Sequence, residues 1–132
     1  MEIVNKVIPK NQDLSILIMR IGVALVFLYG GLGKLFGILG GPGLENFSGM
    51  VWGSMAIATI VAIVELVAGI SVLLGFMSRE SNLLLAIIIA FATFMVHVPS
   101  GNVMNILVHV MLFTNLIGLV FLGSGKYAIH ED

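Results

Sequence analysis

Four long apolar segments, separated by short polar or glycine-rich stretches, dominate the pattern of this sequence. They cover residues 14–36, 55–77, 83–98 and 105–122. Apolar side chains occur all around each segment rather than along one stripe, which is typical of a membrane span or a deeply buried helix. A soluble chain of 132 residues could not bury four such helices. We therefore predict one all-α domain, an integral membrane four-helix antiparallel bundle over residues 1–132.

The connections between these segments are short and contain residues that break helices. Residues 37–54 are rich in glycine and include Trp52, which is suited to anchor at a membrane surface. Residues 78–82 and 99–102 are predicted to form tight polar turns. Such short connections force neighbouring helices to run antiparallel. Because the third segment is the shortest, we expect it to tilt little or to borrow flanking residues.

The composition supports this prediction and excludes several classes of chemistry. Hydrophobic residues make up 59% of the chain and charged residues 10%, against about 25% charged residues in a typical soluble domain. The formal net charge is −1 and there is no basic block, so we expect no nucleic-acid partner. The chain has no cysteine, which excludes disulfides, thiolate catalysis and cysteine-ligated clusters.

The basic residues predict an orientation. Those that share one end of a four-span antiparallel bundle are Lys6, Lys10, Arg20, Arg79 and Lys126. Only Lys34 falls near the other end. The positive-inside rule then predicts a cell-membrane protein with both termini in the cytoplasm. The first apolar run is too long for a signal-peptide core and lacks a cleavage site, so we expect it to be retained as a span.

Ionisable side chains within the spans are candidate functional residues, because charge inside a bilayer is costly. Glu65 lies near the middle of the second segment, roughly 15 Å from either end at the rise of an α-helix. Its carboxyl group must be protonated, paired or facing a wet cavity, and a structural ion pair and a proton- or ligand-handling site both stay open. Arg20 and Lys34 could each extend towards the nearest membrane surface, and Arg20 could instead reach towards Glu65.

Two histidines extend this candidate site. His97 ends the third segment and His109 lies about two turns into the fourth, on the same helix face as Asn105. With Lys34 nearby and Glu65 at the floor, they predict a polar pocket that opens at the outer end. The alternative for each histidine is a hydrogen-bonded packing residue. Histidines on two helices could also ligate haem, but no further ligand set accompanies them, and we predict no metal site.

Glycines are placed where helices could approach closely. Gly33 and Gly37 form a small-xxx-small pair in the first segment, and Gly69 and Gly75 lie on the second. We expect them to permit close contact between helices.

Three stretches of the chain follow a pattern found together in one family. They are Arg20-x-Gly22 with the glycine-rich run at residues 27–36, Glu65-x-x-x-Gly69 with residues 74–79, and the closing residues 123–129. In order and spacing they resemble the DoxX family of small four-helix membrane proteins. The closing stretch departs from the family pattern, since Ser124 and His130 replace its usual proline and aspartate.

The resemblance implies a four-helix membrane bundle and carries over Arg20, Lys34, Glu65 and Arg79 as positions of interest. Relatives include a subunit of a thiosulfate:quinone oxidoreductase, and more distant ones are assembly factors. The leading hypothesis is a subunit or accessory of a quinone-linked membrane redox system, in which Glu65 with Lys34, Arg20 or a histidine binds or protonates a quinone. No electron carrier is visible in the chain, so a membrane protein partner or a homo-oligomer is expected.

Two alternatives belong to other functional classes. The protein could be an assembly or scaffold protein without catalytic activity, whose glycine-faced helices dock a larger complex. It could also transport a small solute, which would need an oligomer because four helices leave little room for a pathway.

Overall fold

The computed structural model describes residues 2–130, and within that range the secondary structure is entirely helical. Its helices are α1 (Glu2–Val7), α2 (Gln12–Phe36), α3 (Gly43–Ser48), α4 (Met55–Leu74), α5 (Ser78–Ala92), α6 (Val98–Ser100) and α7 (Val103–Leu122). A π-helical segment, Thr93–His97, joins α5 to α6 and makes one continuous helix of Ser78–Ser100. Together with α2, α4 and α7, this gives four helices long and apolar enough to cross a membrane. The predicted all-α four-helix membrane bundle is confirmed.

Polar caps and left-handed residues set the ends of these helices. Asn11, Ser54 and Asn102 precede α2, α4 and α7, and each side chain accepts a hydrogen bond from a backbone N–H of the first turn. Because these caps satisfy otherwise unpaired donors, α2 and α7 each begin two residues before the predicted apolar segment. Gly37 and Gly75 end α2 and α4 in the left-handed conformation.

The turn between the second and third spans lies earlier than predicted. α4 ends at Leu74 and α5 already begins at Ser78, so residues 78–82 are the first turn of a helix and not a polar turn. The chain reverses at residues 75–77, where Gly75 and Met77 have positive φ angles of 75° and 47°. Asn82 is buried and its side-chain amide donates to the Ser78 carbonyl at 2.8 Å, so a polar residue that suggested a turn is accommodated inside the bundle.

The third span also continues further than predicted. Val98 donates its backbone N–H to the Thr93 carbonyl, a π-helical spacing, and the helix then continues through Pro99 to Ser100. A proline has no N–H to donate, and a local π-helical adjustment is one way in which a membrane helix accommodates it. The chain turns only at Gly101, whose φ is 71°. The third span therefore borrows flanking residues, one of the two outcomes expected for the shortest segment, and its helix ends two residues after the predicted end at residue 98.

Two glycines lie where the first two spans contact each other. A Cβ atom added to Gly31 would lie 3.2 Å from Leu66 on α4, and one added to Gly69 would lie 3.3 Å from the Phe27 Cβ on α2. These two glycines let α2 and α4 pack closely. Gly33 instead faces the loop at Gly41, and Gly37 ends α2. The predicted helix-to-helix role of the Gly33/Gly37 pair was wrong.

α2 packs mainly on α4, and α5 packs mainly on α7. The buried hydrophobic cluster between these pairs consists of Ile16, Val23, Phe27, Ala68, Val72, Leu85, Ala86, Ile89, Leu116 and Leu119. We call the end of the bundle where α2 ends and α7 begins the distal end, and the opposite end, which holds the described chain termini, the terminal end.

Candidate functional site

The distal half of the bundle contains an ion pair between two spans. The Lys34 ammonium, in the last turn of α2, donates to both carboxylate oxygens of Glu65 on α4, at 2.9 Å from Oε1 and 2.7 Å from Oε2. Glu65 is 3% exposed, whereas the Lys34 side chain is 25% exposed. Of the states that the sequence left open for Glu65, the structure shows pairing. Lys34 turns inwards to form this pair and does not extend to the membrane surface.

Helix α3, in the connection between the first two spans, covers this ion pair. The buried ring of Phe47, on α3, lies with its centroid 5.2 Å from the Lys34 Nζ atom, within the range of a cation–π interaction. Helix α3 packs against both α2 and α4. The connection between the first two spans is therefore a folded cover over the polar pair and not an open loop.

His97 and His109, on the third and fourth spans, lie next to each other. The ring centroids of His97 and His109 are 3.8 Å apart, with 33° between the ring planes. The His109 Nδ1 atom is 2.8 Å from the backbone carbonyl of Asn105. Since a carbonyl only accepts hydrogen bonds, Nδ1 carries the hydrogen, and Nε2 is the ring nitrogen left for another partner. The two rings contact each other directly, which leaves no space for a haem between them.

A cavity of about 510 Å³ brings these four side chains to one space. Lys34, Glu65, His97 and His109 all line it. The rest of the lining is mostly apolar and comes from the distal half of α4, from residues 88–96 of the third span and from residues 42–52 of the cover. The predicted polar pocket thus has a structural counterpart, with ionisable groups in an otherwise apolar chamber.

Arg20 does not belong to this cavity. Its guanidinium group lies near the terminal end and donates to four backbone carbonyls, those of Val72 (2.9 Å), Leu73 (2.8 Å), Ser124 (3.1 Å) and Tyr127 (2.7 Å). The residue is only 1% exposed. It therefore neither extends to water nor reaches Glu65, and its assignment to the polar site was wrong. Arg20 fastens the end of α4 and the C-terminal segment to α2.

The four positions carried over from the family resemblance divide into two groups. Lys34 and Glu65 line the distal cavity. Arg20 and Arg79 lie towards the terminal end, where Arg79 donates to the backbone carbonyl of Val120 at 2.7 Å. Among residues 2–130, no group of three or more histidine, aspartate or glutamate side chains is placed to hold a metal ion.

Sequence reasoning missed the apolar and backbone components of the site. It treated Trp52 only as a membrane anchor and assigned Phe47 no role, although both line the cavity. It also missed the π-helical segment that carries His97, a feature often found at functional sites. The signal for that segment was Pro99, two residues after the histidine in an otherwise continuous apolar run.

Fold and cavity together define a small four-span membrane protein with a ligand-sized chamber between its spans. The DoxX family model matches residues 15–98, more than half of the chain, so this protein belongs to the DoxX family. The matched region includes Lys34, Glu65 and His97, whereas His109 lies beyond it. Comparison with curated proteins and with solved structures gave no match.

Proposed function

We propose that this protein binds a quinone headgroup in the distal cavity, as a membrane subunit or accessory of a quinone-linked redox system. The observation that carries the proposal is the Lys34–Glu65 pair on the wall of an apolar chamber that also contains His97 and His109. Membership in the DoxX family also supports quinone binding, since relatives in this family include a subunit of a quinone-reducing enzyme.

The shape and chemistry of the cavity suit a quinone ring. Ligand pockets of about 300–1,000 Å³ are typically apolar with a few placed polar groups, and the cavity has about 510 Å³. A quinone ring is flat and apolar on both faces, with carbonyl oxygens at opposite edges that accept hydrogen bonds. The Lys34 ammonium is a donor suited to one such oxygen. The ring N–H of His97 is suited to the other.

The same side chains are suited to handle protons. Reduction of a quinone to a hydroquinone takes up protons together with electrons, and carboxylates and histidines are the usual groups that transfer protons inside membranes. In the proposed arrangement Glu65 holds Lys34 in place and exchanges a proton at its carboxylate. His109, whose Nδ1 is bonded to Asn105, offers Nε2 to a hydroquinone hydroxyl. The electrons come from a partner protein.

The test is a binding titration that uses the protein's own fluorescence. The chain has one tryptophan, and that residue, Trp52, lines the cavity, so a bound quinone should quench it. The protein in lipid nanodiscs is titrated with dimethoxy-methyl-benzoquinone, which has no side chain. We expect saturable quenching of the wild type.

A matched pair of variants makes this titration specific. Glu65→Gln should weaken binding by about tenfold or more, because it removes the carboxylate that holds Lys34 in place for its hydrogen bond to the quinone, and hydrogen bonds to charged groups contribute about 1.5–3 kcal/mol. The control is Glu80→Gln, the same change at an exposed position near the terminal end, which should leave the affinity unchanged. Non-saturable quenching of the wild type, or equal affinities for both variants, contradicts the proposal.

A further inference from the structure

We propose that the ligand of this cavity is a lipid-soluble quinone with a long apolar chain, and that the chain leaves the cavity between Trp52 and Met95 into a groove on the lipid-facing side of the third span. This inference rests on the proposed function, because it describes the rest of the molecule whose ring occupies the distal cavity. It adds the class of substrate and the route by which it reaches the site.

A second, wholly apolar depression lies directly beside the cavity. It has a volume of about 470 Å³ and is lined by Trp52, Ala90, Phe91, Phe94 and Met95. Three of these residues, Trp52, Phe91 and Met95, line the first cavity as well. The two spaces are therefore neighbours that share one wall, with the polar groups in one and only apolar surface in the other.

The aromatic residues around the second depression lie on the outer surface of the bundle. Trp52 and Phe94 are each 73% exposed and Phe91 is 60% exposed. Phe91 and Phe94 lie on Ser78–Ser100, one of the four helices able to cross the membrane. In lipid, such side chains contact acyl chains rather than water. The second depression is thus open to the hydrocarbon region, where a chain-bearing quinone is dissolved.

The distal surface is less open to a ligand from water. The cover between α2 and α4 supplies Pro42, Phe47, Met50 and Val51 to the lining of the first cavity. Phe47 is buried and lies against Lys34. A ligand that arrived from the aqueous phase would have to displace this cover, whereas one that arrived from the bilayer passes Trp52 and Phe91.

The volume of the first cavity requires an exit for a long chain. The cavity volume of about 510 Å³ lies in the lower half of the range of about 300–1,000 Å³ that is typical of ligand pockets. A substituted benzoquinone or naphthoquinone ring fits within it, but every isoprene unit of a chain adds further carbon atoms to be accommodated. A chain of several isoprene units therefore cannot be enclosed together with the ring.

The groove provides space for the apolar chain of the quinone but adds little to the affinity of binding. A chain that moves from lipid into an apolar groove leaves one hydrocarbon environment for another, so there is little hydrophobic driving force. The prediction is therefore one of exclusion: when the groove is blocked, a quinone with a chain no longer fits, and the same ring without a chain still binds.

Ala90→Phe tests this directly, because Ala90 lines the groove but not the first cavity. Two probes are titrated against Trp52 fluorescence in nanodiscs: dimethoxy-methyl-benzoquinone without a side chain, and the same ring with a saturated ten-carbon chain. Each affinity is expressed relative to the concentration of probe in the lipid. Ala90→Phe should weaken the chain-bearing probe by about tenfold or more, the scale of an overpacked contact, and change the affinity of the chain-free probe by less than about twofold.

The matched control is Ala56→Phe, the same substitution at an exposed position of α4 that lines neither space, and it should change neither affinity. If Ala90→Phe does not fold, Ala90→Leu takes its place. Its smaller side chain should weaken the chain-bearing probe to a lesser degree and leave the chain-free probe unaffected. If Ala90→Phe and Ala90→Leu affect both probes equally or not at all, the groove proposal is overturned. If neither probe binds the wild type saturably, the proposed function itself fails.

Discussion

Replacing only one member of the Lys34–Glu65 pair should lower the stability of the protein, and by a different amount for each residue. Replacing both together should change it little. The two charges are 2.7 Å apart, which corresponds to an attraction of about 6 kcal/mol at an effective dielectric constant of about 20. Desolvation offsets much of this, since each ion loses several kcal/mol of hydration when buried. Removing one partner leaves that cost without the attraction.

The two single variants should therefore differ. Lys34→Met leaves a carboxylate whose side chain is 4% exposed, and we expect a loss of about 3–5 kcal/mol, the usual cost of breaking a buried pair. Glu65→Leu leaves the Lys34 ammonium group on a flexible side chain that is 25% exposed and lies two residues before the end of α2. The Lys34 ammonium group can move towards the distal surface, so a smaller loss of about 1–2 kcal/mol is expected.

The double variant Lys34→Met/Glu65→Leu should be within about 1 kcal/mol of the wild type, because replacing both charges of a buried pair by apolar groups is often neutral. The assay is reversible unfolding in mixed micelles with increasing dodecyl sulfate, followed by Trp52 fluorescence and far-ultraviolet circular dichroism. A double variant as unstable as the sum of the two single losses would refute the reasoning, since it would mean that the two charges do not stabilise each other.

Two further predictions concern packing and the terminal end. Arg20→Lys should release the C-terminal segment, because one ammonium group cannot span the four carbonyls that the guanidinium binds. Trypsin should then cut after Lys126 about tenfold faster, measured relative to cleavage after Lys10 in the same sample. An unchanged ratio of the two cleavage rates would show that other contacts hold the segment. Gly31→Ala should lower the free energy of unfolding by about 1–3 kcal/mol, because the new Cβ would lie 3.2 Å from Leu66. Gly118→Ala, which meets no atom within 4 Å, should raise it by about 0.5–1 kcal/mol, and shifts of the same sign in the unfolding assay would contradict the close packing of α2 on α4.

The number of spans and their helical structure could be predicted from the sequence because lipid leaves a chain few choices. Backbone groups in hydrocarbon must bond internally, so continuous apolar runs such as residues 55–74 have to be helical. The errors lie where polar residues can be satisfied by the helix itself. Ser78 and Asn82 bond to each other one turn apart, and a pattern of polar letters does not distinguish this arrangement from a turn.

The candidate site could be predicted only in part, since its contacts are long-range. The sequence predicted that the Glu65 carboxyl group is protonated, paired or facing a wet cavity, and it placed Lys34, 31 residues away, in the same candidate pocket without pairing the two. The partners of Arg20 are backbone carbonyls 52 to 107 residues away, and carbonyls occur at every residue, so no sequence pattern marks them. For the same reason nothing in the glycine-rich residues 37–54 indicated that Phe47 would cover the ion pair.

Whether the charged pair in the distal cavity binds a quinone ring is tested by the affinity of the double variant Lys34→Met/Glu65→Leu for dimethoxy-methyl-benzoquinone. This variant should keep its fold and its stability, so a change in Trp52 quenching would report recognition and not unfolding. We predict that saturable binding falls by about tenfold or more, as expected for the loss of charged hydrogen bonds. An affinity equal to that of the wild type, in a variant that is equally stable, would show that the charged pair does not bind the quinone ring.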